Sequence, residues 1–148
     1  MPMKRLLAIV VLLFGWAAHG AAAAVESVGH ITSDDAVAIR AVVQSQLNAL
    51  ADDDANAAFE LTTPTKRTLF SSAEEFLRMV KEQYTPIYRP QLALFSSPQV
   101  VDGNAVQVVR VTDDERHVWI AIFWMERGDD TNWKIDGCQL FRTSSISI

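Results

Sequence analysis

Two hydrophobic rhythms divide the chain, and the change falls near Pro90. Before it, apolar positions recur every three or four residues; after it, they alternate or run together. Ile39, Val43, Leu47 and Leu50 make one helical stripe, widened by Ala36 and Val42. Thr32-Ser33-Asp34-Asp35 supplies the start of that helix. Thr32 or Ser33 can accept from free backbone N–H groups, and the aspartates suit the positive end of the helix dipole. The stripe stops near Asp52, and one aspartate of Asp52-Asp53-Asp54 caps a second helix carrying Ala57, Ala58, Phe59 and Leu61. Thr63-Pro64 joins a cap to a proline at the first helical position, followed by a short turn with Leu69 and Phe70. Ser72-Ala73-Glu74-Glu75 reads as a capping box, and Phe76, Leu77, Val80 and Tyr84 form the inward stripe behind it. Pro86 and Pro90 end that helix and make Tyr84 to Pro90 a stiff aromatic connector.

Strand patterns fill the remainder. Leu92 to Phe95 begins a strand, and Pro98 predicts a bend or bulge. Asp102-Gly103 between Val100-Val101 and Ala105-Val106 is a two-residue hairpin signal. Val106 to Val111, Val118 to Met125 and Trp133 to Phe141 are further strands, separated by polar turns at Asp113–Glu115 and Gly128–Thr131. The unbroken apolar run Val118 to Met125 predicts a central strand covered on both faces. The fold class is therefore α+β: N-terminal helices packed on the concave face of a curved, roughly four-stranded antiparallel sheet. Trp119 and Trp124 lie an odd number of residues apart, so they point to opposite faces. One belongs to the core. The other lines an outer face that either a subunit interface or long polar side chains would cover.

The first residues add a compartment. Lys4 and Arg5 precede an apolar run from Leu6 to Ala18, and Ala21 to Ala24 supplies small residues for a signal peptidase. Cleavage is expected after Ala24, with Ala18-His19-Gly20 as an earlier option, leaving residues 25–31 as a tether and residues 32–148 as a single domain. The alternative is an uncleaved anchor, but a run of about 13 residues reaches only ~20 Å as helix against a ~30 Å hydrocarbon core. The protein is thus expected in the periplasm or secreted, touching the membrane only through its leader. No cysteine near the cleavage region can carry a lipid. Loss of the leader moves the formal charge from −5 to about −7. Such an acidic domain repels phosphate backbones, which argues against nucleic acid as a partner.

Reactive chemistry is sparse. Asp52-Asp53-Asp54 lacks the alternating ligands, glycine and distal glutamate of a calcium loop. Neither metal nor cofactor is expected, because no ligand pair has metal spacing and no glycine-rich phosphate loop or G-x-S-x-G elbow occurs. Cys138, the single cysteine, is either an apolar filler or a reactive thiol, and Ile135, Leu140 and Phe141 around it favour the filler. A tight final hairpin would pair Cys138 near Ala121, about 13 Å from His117, too far for a dyad. Asp136 has two readings. It is the best candidate base in an apolar pocket, with Tyr84 or Tyr88 as the opposing donor. Equally, it is a carboxylate at a strand bulge beside Gly137, satisfied by an arginine or a backbone N–H. Arg89, held between Tyr88 and Pro90, is the candidate anchor for an anionic ligand, or a partner for Asp136.

Four segments together resemble a known family: the Ile39–Leu50 helix, the aspartate-rich break before Ala57-Ala58-Phe59, the connector Tyr84-x-Pro86-x-Tyr88-Arg89-Pro90, and the closing Trp133-Lys134-Ile135-Asp136-Gly137-Cys138. The chain resembles the bacterial domain of unknown function 4864 family, small exported proteins of the nuclear-transport-factor-2-like, or cystatin-like, superfamily. The resemblance implies a sheet folded around helices as a cone, often dimeric through the outer sheet face. It brings no catalytic residues. The superfamily holds isomerases, cyclases, dehydratases and non-catalytic binding modules, so fold alone assigns no chemistry. The short Thr62–Phe70 stretch leaves little room for the extra early strands of many superfamily members. Three functions follow as expectations: a non-catalytic binding or accessory module with an apolar pocket, an isomerase- or dehydratase-like enzyme using Asp136 with Tyr84 or Tyr88, and an interaction module using the outer sheet face. Candidate partners are a small apolar or anionic ligand and a second copy of the chain.

Overall fold

A computed structural model describes residues 28–144. The expected leader, residues 1–24, lies outside the described residues. So does the start of the expected tether, but its end is docked: the Val28 N–H donates to the Gly103 carbonyl at 2.8 Å, and Val28 and Ile31 pack on the core.

The helices follow the apolar stripes. α1 spans Ser33–Ala51, and its buried positions include Ile39, Val43, Leu47 and Leu50. Thr32 caps it in a reciprocal box with Asp35. α2 (Ala55–Glu60) is capped by Asp54, which accepts from the Ala57 N–H. α3 (Pro64–Arg67) starts from Thr63 with proline in its first turn. α4 (Ala73–Gln83) starts from Ser72 and buries Phe76, Leu77 and Val80. The capping box expected at Ser72 forms only by half. The Ser72 hydroxyl accepts from the Glu75 N–H, but the Glu75 carboxylate turns to the backbone and hydroxyl of Ser71 instead. A 3-10 turn at Thr85–Ile87 begins the connector.

Five strands form one antiparallel sheet: β1 (Leu92–Phe95), β2 (Gln99–Val101), β3 (Asn104–Thr112), β4 (Val118–Arg127) and β5 (Trp133–Arg142). β1 and β2 pair with successive stretches of β3, so the sheet is four strands wide with a broken edge. The break is the bend expected at Pro98. Across it, Gln107 replaces ladder bonds with its side chain: Nε2 donates to the Ser96 carbonyl at 2.6 Å and to the Val108 carbonyl at 3.0 Å. Gln107 is fully buried. Asp102-Gly103 makes the expected tight turn, with both residues at positive φ, 49° and 76°.

Alternation sorts the sheet into two faces. Ala105, Val109 and Val111 of β3 and Ala121, Phe123 and Met125 of β4 face the helices and are buried with Ile39, Val43 and Leu50. Trp119 joins this face and Trp124 does not, so the two tryptophans divide as expected. β4 is central in the ladder, between β3 and β5. The expectation that it is covered on both faces is corrected: Val118, Ile120, Ile122 and Trp124 stay partly exposed, while Ala121, Phe123 and Met125 between them are buried.

The core between α1 and the sheet is closely filled, so shortening one of its side chains should leave a cavity that cannot collapse. Leu50→Ala should cost about 2–5 kcal/mol of unfolding free energy in urea melts, with the slope against urea unchanged.

Candidate functional site

Asp136 owes its position to a slip in register. Met125 pairs with Ile135 and Trp124 with Gly137, which leaves Asp136 as the extra residue of a bulge. Its Oδ1 accepts from the Thr63 hydroxyl at 2.9 Å. The chain before α3 runs along β5 here: Ile135 N–H donates to the Leu61 carbonyl at 2.8 Å, and Thr63 N–H donates to the Ile135 carbonyl at 2.9 Å. Asp136 therefore pins the start of α3 to the sheet. Glu126 sits close by, and its carboxyl is raised above the ordinary range by desolvation first, then by the Asp136 charge, with Lys66 opposing.

Tyr88 and Arg89 converge on a different acid. Asp53, in the turn between α1 and α2, accepts from the Tyr88 hydroxyl at 2.6 Å and pairs with Lys81 at 2.8 Å and Arg89 at 3.2 Å. Arg89 Nε also donates to the Ala51 carbonyl at 2.9 Å, across the end of α1. Asp53 and Arg89 both hold positive φ, 54° and 55°, and these ties offset that local cost. Hydrogen bonds from Lys81 and then Tyr88 hold the Asp53 carboxyl below its ordinary value, and the same pair raises Lys81. The structure thus brings Tyr88 and Arg89 together and gives Asp136 the separate partner Thr63. Tyr84 is half-buried against the core beside α4. A shallow depression of ≈ 420 Å³ borders Asp53 and Lys81, with Glu74 and Arg78 on it as well.

Sequence reasoning missed Asp53. The signal was present: three aspartates stand in a row where a cap needs one, and Asp54 is that cap. It also missed Asp113, which organises the β3–β4 turn. Asp113 accepts from the backbone N–H groups of Glu115 and His117 at 3.0 and 2.8 Å and from the Trp119 indole at 3.0 Å. The indole is the main cause of its lowered pKa.

The helix side of the sheet is packed with rings and aliphatics. Phe59, Phe70 and Phe76 form a triad with centroids 5.3 to 6.3 Å apart, Phe70 meeting the other two rings edge to face. Cys138 packs on this core, and burial pushes its thiol up to about 12, far from a nucleophile's range. It pairs with Phe123, not near Ala121, because the bulge and a longer turn shift the final hairpin. His117 then lies six residues along β4, about 20 Å away.

Among the described residues, the opposite face is less covered. Leu92 and Leu94 are each 51% exposed and Phe141 is 52% exposed. Ile120, Ile122 and Trp124 lie between them by register, half-exposed. Arg110 stands toward one end of this face and Glu126 toward the other.

Two substitutions test these carboxylates. Asp53→Ala should lower Tm and speed amide exchange in the Tyr84–Pro90 connector. Because the folded Asp53 pKa is depressed, its contribution is present above the ordinary 3.8 and fades as pH falls through the folded value. The Tm gap to wild type should therefore close in acid. Glu126 has the opposite sign: its folded pKa is raised above 4.5, so ionisation favours the unfolded chain as pH rises. Glu126→Gln should gain Tm relative to wild type on going from about pH 3 to about pH 7, read by calorimetry.

The family model described as Domain of unknown function (DUF4864) matches residues 32–148, and the chain belongs to that family. No curated protein and no solved structure matches the chain.

Proposed function

We propose that this member of the family is a non-catalytic assembly module, working in the exported compartment, in which two copies pair through the uncovered sheet face. The observation that carries the reading is the apolar band of Leu92, Leu94, Ile120, Ile122, Trp124 and Phe141 on the side opposite the buried core. A patch of this kind on a small domain marks a surface meant for a partner. Its size suits one. Four strands at ~4.8 Å and ten residues at ~3.3 Å span roughly 600 Å² in projection, close to the ~800 Å² per partner of a standard interface.

Two further facts support a role without chemistry. The Asp136 carboxylate is held by Thr63 and the Tyr88 hydroxyl by Asp53, so the proposed base and donor each have a structural duty elsewhere. The side of the sheet where a cone-shaped fold would keep its pocket is packed with the core cluster instead.

Sedimentation velocity on protein purified from its host, over a concentration range of about a hundredfold, is expected to show a dimer. Ile122→Glu sets like charges face to face at the centre and should weaken association about a hundredfold or more. A wild-type chain that stays monomeric throughout that range would overturn the reading.

A further inference from the structure

Beyond pairing, we infer that the turn end of the sheet, where Arg142 lies over the Trp119 ring at 6.0 Å, holds a binding site for a single-chain anionic amphiphile, an oxyanion head on an apolar tail. An open groove of ≈ 860 Å³ is lined there by Arg110, Arg116 and Arg142, with His117, Val118 and Ile120. The volume falls within the ~300–1,000 Å³ of ligand clefts.

The electrostatics are unlike the rest of the molecule. The chain is net acidic at −5, yet among the described residues no acidic side chain lines this groove. None of the three arginines makes an ion pair among the described residues. Two carboxylates of the turn face the His117 ring, Glu115 at 3.5 Å and Asp113 at 3.4 Å, and Asp113 is further committed to two backbone N–H groups and the Trp119 indole. It neutralises none of the arginines. Instead it shapes the turn in which Arg116 takes φ 65°, a left-handed conformation that a non-glycine residue adopts only when its surroundings impose it. Asp113 thus fixes the backbone from which Arg116 projects.

Guanidinium forks match carboxylate and phosphate oxygens two at a time, which sets the chemistry of the head. Val118 and Ile120 belong to the outer face by alternation, and Ile120 pairs with the exposed Phe141. Val118 and Ile120 border the arginines at the rim of the paired face, which sets the chemistry of the tail. A bare anion would use only the first part, and a neutral amphiphile only the second.

The test is an amide NMR titration of protein purified from its host, with its sedimentation state measured in the same samples so that loss of pairing and loss of ligand uptake read separately. The probes are octyl phosphate, octanoate, inorganic phosphate and octyl glucoside. Octyl phosphate and octanoate should shift the amides of Arg110, Arg116 to Ile120, Arg142 and Thr143, with dissociation constants at least about tenfold below those of inorganic phosphate and octyl glucoside. The double variant Arg110→Ser, Arg116→Ser should weaken octyl phosphate about tenfold or more while amides around α1 stay in place. If the double variant does not fold, Arg116→Ser alone, on an exposed turn, should weaken it about threefold. Equal affinity for octyl glucoside or for inorganic phosphate would overturn the inference, as would shifts centred elsewhere or a variant that binds unchanged. Binding to phosphatidylglycerol vesicles without response to free octyl phosphate would also overturn it, in favour of a membrane surface.

Discussion

A sheet has two faces, and the described helices bury their apolar stripes against one. That single constraint governs the rest of the molecule. Burial of Ile39, Val43, Leu47 and Leu50 against Val109, Val111, Ala121 and Phe123 supplies the hydrophobic driving force and fixes which residues of each strand point inward. Once the inward set is chosen, alternation forces Ile120, Ile122 and Trp124 outward, whatever their preference. The apolar outer band is thus a direct consequence of a well-built core beneath β4, which is apolar at every position from Val118 to Met125.

The periodicities made most of this visible before any coordinates. Caps at Thr32, Thr63 and Ser72, the stops at the prolines and the Asp102-Gly103 turn are local effects, decided by residues within one or two turns of each other. Such effects can be read from neighbours in the chain. The long-range ones could not. Asp53 meets Lys81, Tyr88 and Arg89 only because α4 and the connector fold back over the end of α1. Asp136 meets Thr63 only because the bulge turns it toward the chain before α3. Neither pairing has a spacing rule, so the candidate residues were named but their partners were not.

The burial of β4 was misread for a related reason. An apolar run says that both faces of a strand resist water. It does not say that the same polypeptide covers both. The groove arginines show the same limit: Arg110, Arg116 and Arg142 are far apart in the chain and share no motif, and the β3–β4 and β4–β5 registers carry them to one end of the sheet.

The broken edge strand has a consequence for solubility. A long, flat sheet margin invites any passing extended segment to zip on, which is how ribbons and fibrils begin. Here the Ser96–Pro98 interruption splits that margin into pieces of four and three residues, and the Gln107 amide occupies the backbone carbonyl in the gap. An incoming strand would find two short templates out of line, so sideways growth is discouraged.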